Sequence, residues 1–195
     1  MRPPYQGSNP VSDIWSMKAI DFVGKYLSRA VLNGEDIEAR GNMMLSATLA
    51  GIGFGTAGVH IPHACAYPNA GLKHSYQASG YKKCFVPHGL SVIVTAPAVF
   101  RFTYEVDPEK HIKAAELLKG GDIKHPGSES LPNELIKLMK EVGTPSGIKE
   151  LGYVKQDISK IIKGAMKQER LLSIAPKKVS ENDLNQILIQ SMENW

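Results

Sequence analysis

Apolar residues recur at helical spacing over most of the chain. After Asn9 and Pro10, apolar side chains return every three or four positions for several turns, with charged residues on the opposite face. Asn9 is a typical helix N-cap, Pro10 suits the first helical position, and Asn33-Gly34 is a usual C-terminal signal. The pattern predicts one helix up to that signal and a second that begins near Asp36 and continues into a glycine-rich stretch.

The middle of the chain continues this pattern. Residues 87–106 are apolar enough for a strand, but their length and context favour a helix that begins just after His88, with Pro97 as a kink or break. Asp107-Pro108 then opens a helix that ends near Leu118. The segment 119–130 is predicted to be a loop, because glycine and polar residues dominate it.

Further helices are predicted over 129–143, 155–170 and 180–195, and Ser180 with Asp183 resembles a capping box. We therefore predict an all-α chain of six or seven helices. These helices are expected to form one domain over 1–195, in which 131–195 is a C-terminal helical extension.

Composition limits the function classes. The formal net charge is +4, and the lysines are spread along the chain instead of clustering with aromatic residues, which argues against nucleic-acid binding. Cys65 and Cys84 do not form a C-x-x-C pair, so both are expected to be free thiols that serve packing. The first ten residues show neither a signal nor a transit peptide. Residues 41–72 carry no Asp, Glu, Lys or Arg, and a buried core helix is favoured there over a membrane span.

A G-x-G-x-x-G match lies inside this uncharged stretch at Gly53, Gly55 and Gly58. A dinucleotide-binding turn needs a strand before it, a helix after it and an acidic residue about twenty positions later. Here the preceding pattern is helical, and the segment around residue 78 has no acidic residue. We therefore interpret these glycines, together with Gly51, as a small-residue face that lets another element approach closely.

The six histidines fall into two groups. His74, His111 and His125 lie among lysines and are expected to be solvated. Three others, at positions 60, 63 and 88, lie in poorly charged surroundings, where a neutral imidazole is a good ligand for a divalent metal ion. Spacing leaves two alternatives open, metal ligands or hydrogen-bonded core histidines, and Pro62 argues against a regular helix through the first pair.

Three stretches resemble the C-terminal half of the iron-containing (type III) alcohol dehydrogenases, which share the dehydroquinate synthase-like fold, and most of all their hydroxyacid-oxoacid transhydrogenase branch. They are RPPYQGSNPVSDIWSMKAIDFVGKYLSRAV, EARGNMMLSATLAGIGFGTAGVHIPHACAYP and VPHGLSVIVTAPAVF. The similarity continues through GYVKQDISKIIKGAMKQERLLSIAPKKVSENDL, so it covers nearly the whole chain. It implies that residues 1–195 are a helical metal-binding and catalytic C-terminal domain, and that the N-terminal α/β dinucleotide-binding domain of the family is absent from this chain.

The resemblance also implies site residues. His63 matches the metal ligand at the head of the family motif H-x-x-x-H, and His88, in Pro-His-Gly, matches the last ligand. An Asp and a third His, which complete the family's ligand set, would precede Arg2. Most of the family has the second His of the motif at the position of Tyr67, whereas the transhydrogenase branch has a Tyr there, as this chain does. Tyr67 is a candidate catalytic residue.

The same resemblance implies an activity. The complete enzyme would oxidise 4-hydroxybutyrate to succinate semialdehyde and pass the hydride, through NAD held mainly by the missing domain, to 2-oxoglutarate. The metal would be iron, with zinc as the alternative, and the location mitochondrial. Arg101 and the loop lysines Lys73, Lys82 and Lys83 are candidates for binding substrate carboxylates.

The sequence leaves three alternatives open, and the first is the transhydrogenase activity just described. With two of four ligands and no dinucleotide domain, the chain alone is expected to be inactive, and it is then a truncated helical fragment with a packing or dimer role. A bundle in which the three histidines are only core polar groups is the third reading. We expect small hydroxy and oxo acids as partners, no nucleic acid or membrane, and leave a homo-oligomer open.

Overall fold

The computed structural model describes residues 7–73 and 75–195. Within them there is no β-strand, so the all-α prediction is confirmed. Ten α-helices follow one another in the described residues: α1 (Pro10–Leu32), α2 (Ile37–Ala57), α3 (Ile61–Gly71), α4 (His88–Ile93), α5 (Ala96–Thr103), α6 (Pro108–Lys119), α7 (Ser130–Glu141), α8 (Ile158–Met166), α9 (Glu169–Leu172) and α10 (Glu181–Gln190). The expected six or seven is too low, because two predicted helices are interrupted and one more forms after the glycine-rich stretch.

The helix boundaries follow the capping residues that the sequence shows. The Asn9 side chain accepts hydrogen bonds from the first turn of α1, and Ser12 completes a capping box. Asp36 caps α2 by accepting from the Ala39 amide at 2.9 Å. Ser180 and Asp183 form the capping box of α10. Each cap satisfies amides that the first turn of a helix leaves without partners, so these boundaries were predictable from local sequence.

Two predicted helices are divided. Residues 87–106 form α4, which begins at His88 itself, then α5, and then a 3₁₀ turn at Tyr104–Val106. Pro97 occupies the first turn of α5, where its missing N–H costs nothing, and a continuous helix would have placed its ring against a carbonyl of the preceding turn. The segment 155–170 begins with a 3₁₀ turn at Lys155–Asp157 and continues as α8 and α9.

The chain folds into two compact units, and the first comprises residues 7–58 and 107–143. Its helices α1 and α2 run antiparallel. Residues later in α2 contact residues earlier in α1, as two contacts show. The Ser46 hydroxyl donates to the Ala19 carbonyl at 2.9 Å. Further along α2, Gly53 lies against Ser12 and Ser16. The helices α6 and α7 belong to the same unit, and Lys110 of α6 forms an ion pair with Asp13 of α1 at 2.9 Å.

The glycine-rich stretch lies within and at the end of α2. A side chain at Gly53 would collide with Ser16, whereas positions 51 and 55 have open space around them. Gly58 ends the helix with a φ of 78°, a conformation that favours glycine. The small-residue interpretation is therefore right for Gly53, whereas no other element of the described residues approaches Gly51 or Gly55. A helical setting also agrees with the rejection of a dinucleotide-binding turn.

The face of α2 opposite its buried side is also apolar. Ile37, Met44 and Ile52 are 83%, 75% and 47% exposed, and no charged residue follows Arg40 in this helix. A helix that is apolar on all sides is usually covered on all sides. In the described ranges no single helix is long and apolar enough to cross a membrane, and α2 and α3 reach that length and composition only as a bent pair.

The second unit comprises residues 59–106 and 144–195. Its core brings together α3, α4, α5, α8, α9, α10 and the segment before α8, including the fully buried Ile61, Val99, Ile148, Leu151, Ile161, Leu171, Leu184 and Leu188. The Tyr153 hydroxyl donates to the carbonyls of Pro68 and Asn69, at 3.1 and 2.8 Å. Because Pro68 lacks an N–H and interrupts the hydrogen bonding of α3, these contacts stabilise the end of that helix.

The two cysteines differ in environment. Cys65 is buried in the core of the second unit, and burial raises the pKa of its thiol to about 12, so it is an inert packing residue as predicted. Cys84 is exposed, and the packing role expected for it is wrong. Its thiol lies 3.3 Å from the Gln77 side-chain oxygen.

Candidate metal centre

The helix α3 carries two of the candidate residues. It forms despite Pro62, which lies in the first helical turn, where a proline is tolerated. The expectation of irregular structure here is wrong for that reason. The His60 carbonyl accepts from the amides of His63 and Ala64, at 2.9 and 3.1 Å, and so begins the helix. His63 and Tyr67 lie one turn apart and therefore on the same face of α3.

The third candidate residue begins the next helix. His88 is the first residue of α4, and Pro87 is the N-cap. The Ser91 amide donates to the Pro87 carbonyl at 3.0 Å, which closes the first turn. The Ser91 hydroxyl donates to the His88 carbonyl at 2.7 Å. These two bonds fix the backbone that carries the His88 imidazole.

The structure brings His63, His88 and Tyr67 together. The ring centroids of the two histidines are 5.3 Å apart, and those of Tyr67 and His88 are 6.4 Å apart. His63 is partly buried, while His88 and Tyr67 are exposed. Burial lowers the pKa of His63 to about 4, with a smaller contribution from the adjacent His88. His63 is therefore neutral at physiological pH.

This pair suits a transition-metal ion. A neutral imidazole offers a nitrogen lone pair, and two imidazoles at this separation can face one ion. Among residues 7–73 and 75–195, no group of three or more His, Cys, Asp or Glu side chains forms a metal-binding cluster. The pair therefore fits part of a coordination shell, since protein metal sites commonly use three or four protein ligands.

Lys73 has partners within the second unit. Its ammonium group donates to the Gly152 carbonyl at 2.6 Å, pairs with Asp157 at 2.6 Å and lies 5.3 Å from the centre of the Tyr153 ring. The hydrogen bond from Lys73 is the main cause of the lowered pKa of Asp157. These contacts tie the segment after α3 to the segment before α8.

The remaining predicted substrate-binding residues lie elsewhere in the same unit. Lys82 and Lys83 are exposed on the connection between α3 and α4, and Arg101 is partly buried in the last turn of α5. Their roles in binding carboxylates stay predictions.

The other histidines do not take part in the pair. The His60 ring contacts the Phe100 ring edge-on, with 6.4 Å between centroids. His111 is partly buried, with Nδ1 2.8 Å from the Asp107 carbonyl, so the expectation of full solvation is wrong for it. His125 is exposed, as predicted. His74 and the first six residues, where the transit-peptide interpretation falls, lie outside the described residues.

Sequence reasoning missed two residues that connect the helices of the pair, Asn69 and Ser91. Asn69 on α3 is fully buried, and its side-chain amide donates to the Ser91 carbonyl of α4 at 3.3 Å. A signal was present, because Asn69 is an amide in an uncharged, largely apolar stretch six positions after His63. Buried amides usually have a hydrogen-bonding role.

Comparison with known proteins places these residues in a family. The sequence profile of the Fe-containing alcohol dehydrogenase family, C-terminal, matches residues 5–192. The chain belongs to this family. The family resemblance and the expected helical C-terminal fold are thus confirmed.

Individual proteins of the family give the same result. The mitochondrial hydroxyacid-oxoacid transhydrogenase of Bos taurus is 45% identical in an alignment of 198 positions that covers 98% of this chain and 42% of that protein. A 1,3-propanediol oxidoreductase structure is 27% identical with a TM-score of 0.82, covering 95% of this chain and 46% of that one. An alcohol dehydrogenase from Oenococcus oeni, at 24% identity and a TM-score of 0.84 over 96% of this chain and 47% of its own, shares the fold. The chain thus spans less than half the length of these relatives.

Proposed function

We propose that this chain is the helical, metal-binding part of a mitochondrial hydroxyacid-oxoacid transhydrogenase. A protein with this name is 45% identical to this chain over 98% of its length. The family is one of oxidoreductases. The proposed reaction converts 4-hydroxybutyrate and 2-oxoglutarate to succinate semialdehyde and 2-hydroxyglutarate. NAD carries the hydride and is held mainly by the part of the full-length enzyme that lies outside this chain.

The 5.3 Å separation of the His63 and His88 rings is the observation that carries this proposal. These two imidazoles would hold a divalent cation, iron in the first place and zinc as the alternative, together with an Asp and a His that precede Arg2. When bound, the cation supplies Lewis-acid polarisation of the substrate oxygen. His63 contributes a neutral ring because its burial disfavours protonation.

The chain's other residues would orient the substrate. Tyr67 is exposed beside His88 and can contact substrate or nicotinamide. Lys82, Lys83 and Arg101 are the proposed partners of the carboxylates of the two acids. We assign Lys73 a different task, because its charge is already neutralised by Asp157: it fixes the start of the loop that carries the other two lysines.

Further partners are proposed from this chain alone. We expect neither nucleic acid, because the lysines are spread along the chain, nor a membrane, and leave a homo-oligomer open. The 195-residue chain alone is proposed to be inactive, because two imidazoles bind a metal ion far more weakly than a full ligand set does.

A label-transfer assay tests the function. The full-length protein is incubated with 4-hydroxybutyrate deuterated at C4 and with unlabelled 2-oxoglutarate, without added NAD. We expect deuterium at C2 of 2-hydroxyglutarate, detected by mass spectrometry, because the enzyme transfers hydride between the two acids through the nicotinamide it retains. The 195-residue chain serves as the negative control. Oxidation of 4-hydroxybutyrate that requires stoichiometric added NAD, with no labelled product, would make the protein an ordinary dehydrogenase.

A further inference from the structure

The candidate metal ligand His88 lies at the N-terminus of a short helix, where few hydrogen bonds hold the backbone. His88 is the first residue of the six-residue helix α4, and its N-cap, Pro87, makes no side-chain hydrogen bond to the helix. Short helices are marginal on their own, and the first turn lacks hydrogen-bond partners. A metal ligand must nevertheless be held close to its productive position. His88 therefore needs support beyond the backbone hydrogen bonds of its own helix.

Two side chains supply that support. The Ser91 hydroxyl donates to the His88 carbonyl at 2.7 Å. The Asn69 amide nitrogen, from α3, donates to the Ser91 carbonyl at 3.3 Å. Because His63 lies on α3 as well, these bonds form a continuous connection between the helix of His63 and the first turn of α4. Tyr153 holds the backbone of α3 at Asn69 itself.

The core alone does not explain an asparagine at this position. Asn69 is fully buried, and within the described residues its side-chain oxygen has no hydrogen-bond partner. Burying a half-satisfied amide costs stability, and an apolar side chain of similar size would fill the same space without that cost. The benefit of the residue must therefore lie in what its one hydrogen bond fixes.

We infer that Asn69 and Ser91 are positioning residues that hold His88 in the correct place relative to His63 for metal binding. The inference rests on the proposed function, since it concerns the same metal ion. Hydrogen bonds that orient metal ligands are worth about 10- to 100-fold in metal affinity in other proteins.

Cobalt binding to the full-length protein tests this role. Co²⁺ affinity is measured by chelator competition, and the ligand geometry by the visible absorption of bound Co²⁺. We expect Asn69→Leu and Ser91→Ala each to lower the affinity about 10-fold or more and to change the absorption spectrum. Ser91→Ala is the milder variant, because alanine favours helix and leaves the Ser91 backbone carbonyl available to Asn69.

Thr95→Val is the matched control. Thr95 is also fully buried in the second unit, and its hydroxyl donates to the Val92 carbonyl at 3.1 Å, three positions earlier, as Ser91 does to His88. We expect this variant to keep the parent's Co²⁺ affinity and spectrum. Metal-free Asn69→Leu removes the unpaired Asn69 oxygen but leaves the buried Ser91 carbonyl without its donor, so the two effects on stability oppose each other. It should keep the parent's cooperative thermal transition and circular dichroism spectrum, which shows that a lower Co²⁺ affinity is not a loss of the fold. Unchanged Co²⁺ affinity in Asn69→Leu and Ser91→Ala, or an equal loss in Thr95→Val, would overturn the inference.

The variants His63→Ala and His88→Ala separate this inference from the proposed metal site. If both keep the parent's Co²⁺ affinity, the ligand assignment is wrong. If both lose it while Asn69→Leu and Ser91→Ala do not, the ligands are correct and only the positioning role is wrong.

Discussion

At the scale of single residues, Lys73 shows how a structural partner changes an expected role. The sequence suggests substrate binding, because a lysine in a loop between two candidate ligands can meet a carboxylate. In the structure its ammonium group pairs with Asp157 and donates to the Gly152 carbonyl. The ion pair should therefore contribute to stability in a pH-dependent way.

Replacing this lysine should remove an acid-sensitive contribution to stability. The hydrogen bond from Lys73 lowers the pKa of Asp157 in the folded state. Its contribution is therefore full above the unfolded pKa of about 4 and is lost as the pH falls through the lowered folded pKa. We expect the melting temperature of Lys73→Met to fall less than that of the parent between pH 5 and pH 3. Lys82→Met, an exposed lysine of the same loop, should follow the parent. Parallel curves for Lys73→Met and the parent would show that the pair contributes nothing.

The candidate ligands were predictable from sequence only in part. The lack of nearby charge singled out three histidines, and the family motif then selected His63 and His88, whose rings the structure places 5.3 Å apart. The hydrogen bond from Asn69 to Ser91 and the Lys73–Asp157 pair were not predictable, because the partners are distant in sequence and belong to other elements. Hydrogen bonds of that kind depend on tertiary packing, which local patterns do not encode.

At the scale of elements, two glycines of α2 test how this helix packs against α1. Position 55 lies on the exposed side with open space around it, whereas a Cβ at position 53 would collide with Ser16 of α1. We expect Gly55→Ala to raise the free energy of unfolding by about 0.5–1 kcal/mol, because alanine loses less backbone entropy in a helix. Gly53→Ala should lower it by about 1–3 kcal/mol through overpacking. Chemical denaturation measures both. Equal effects of the two variants would contradict the helical packing.

The exposed face of α2 should make the isolated chain self-associate. Ile37, Met44 and Ile52 are largely exposed on a helix with no charge after Arg40, and apolar patches of this kind favour association. We expect Met44→Lys to reduce the apparent mass of the 195-residue chain in light scattering. The control, Lys137→Met, should leave it unchanged or raise it, since it removes an existing charge. A monodisperse parent would show that this face needs no cover.

Helix boundaries were predicted well wherever a local cap sets them. Asn9, Asp36 and Ser180 satisfy amides within their own first turns, so a few adjacent residues determine the outcome. The prediction failed around Pro62, because a proline ends a helix or begins one depending on its position, and the start of α3 was not recognised. The α8–α9 interruption had no local signal.

At the scale of the whole molecule, the chain should not bind NAD alone. The chain matches the C-terminal domain of its family, and its described ranges contain no strand. Its G-x-G-x-x-G match lies at the end of α2. A dinucleotide-binding turn lies between a strand and a helix. We expect no saturable NAD binding by the 195-residue chain at micromolar concentrations in a fluorescence titration. The full-length protein is the positive control, and saturable binding by the shorter chain would contradict this assignment of roles.

The proposal that this chain supplies ligands to a catalytic metal ion is tested most directly by metal content. Full-length His63→Ala and His88→Ala are compared with the parent and with His60→Ala by elemental analysis and by turnover. His60 lies in the same unit but contacts Phe100, which makes it a suitable control. We expect His63→Ala and His88→Ala to lose bound metal and turnover together, while His60→Ala keeps most of both. A His63→Ala protein that retains the parent's full metal content and turnover would contradict the proposed centre.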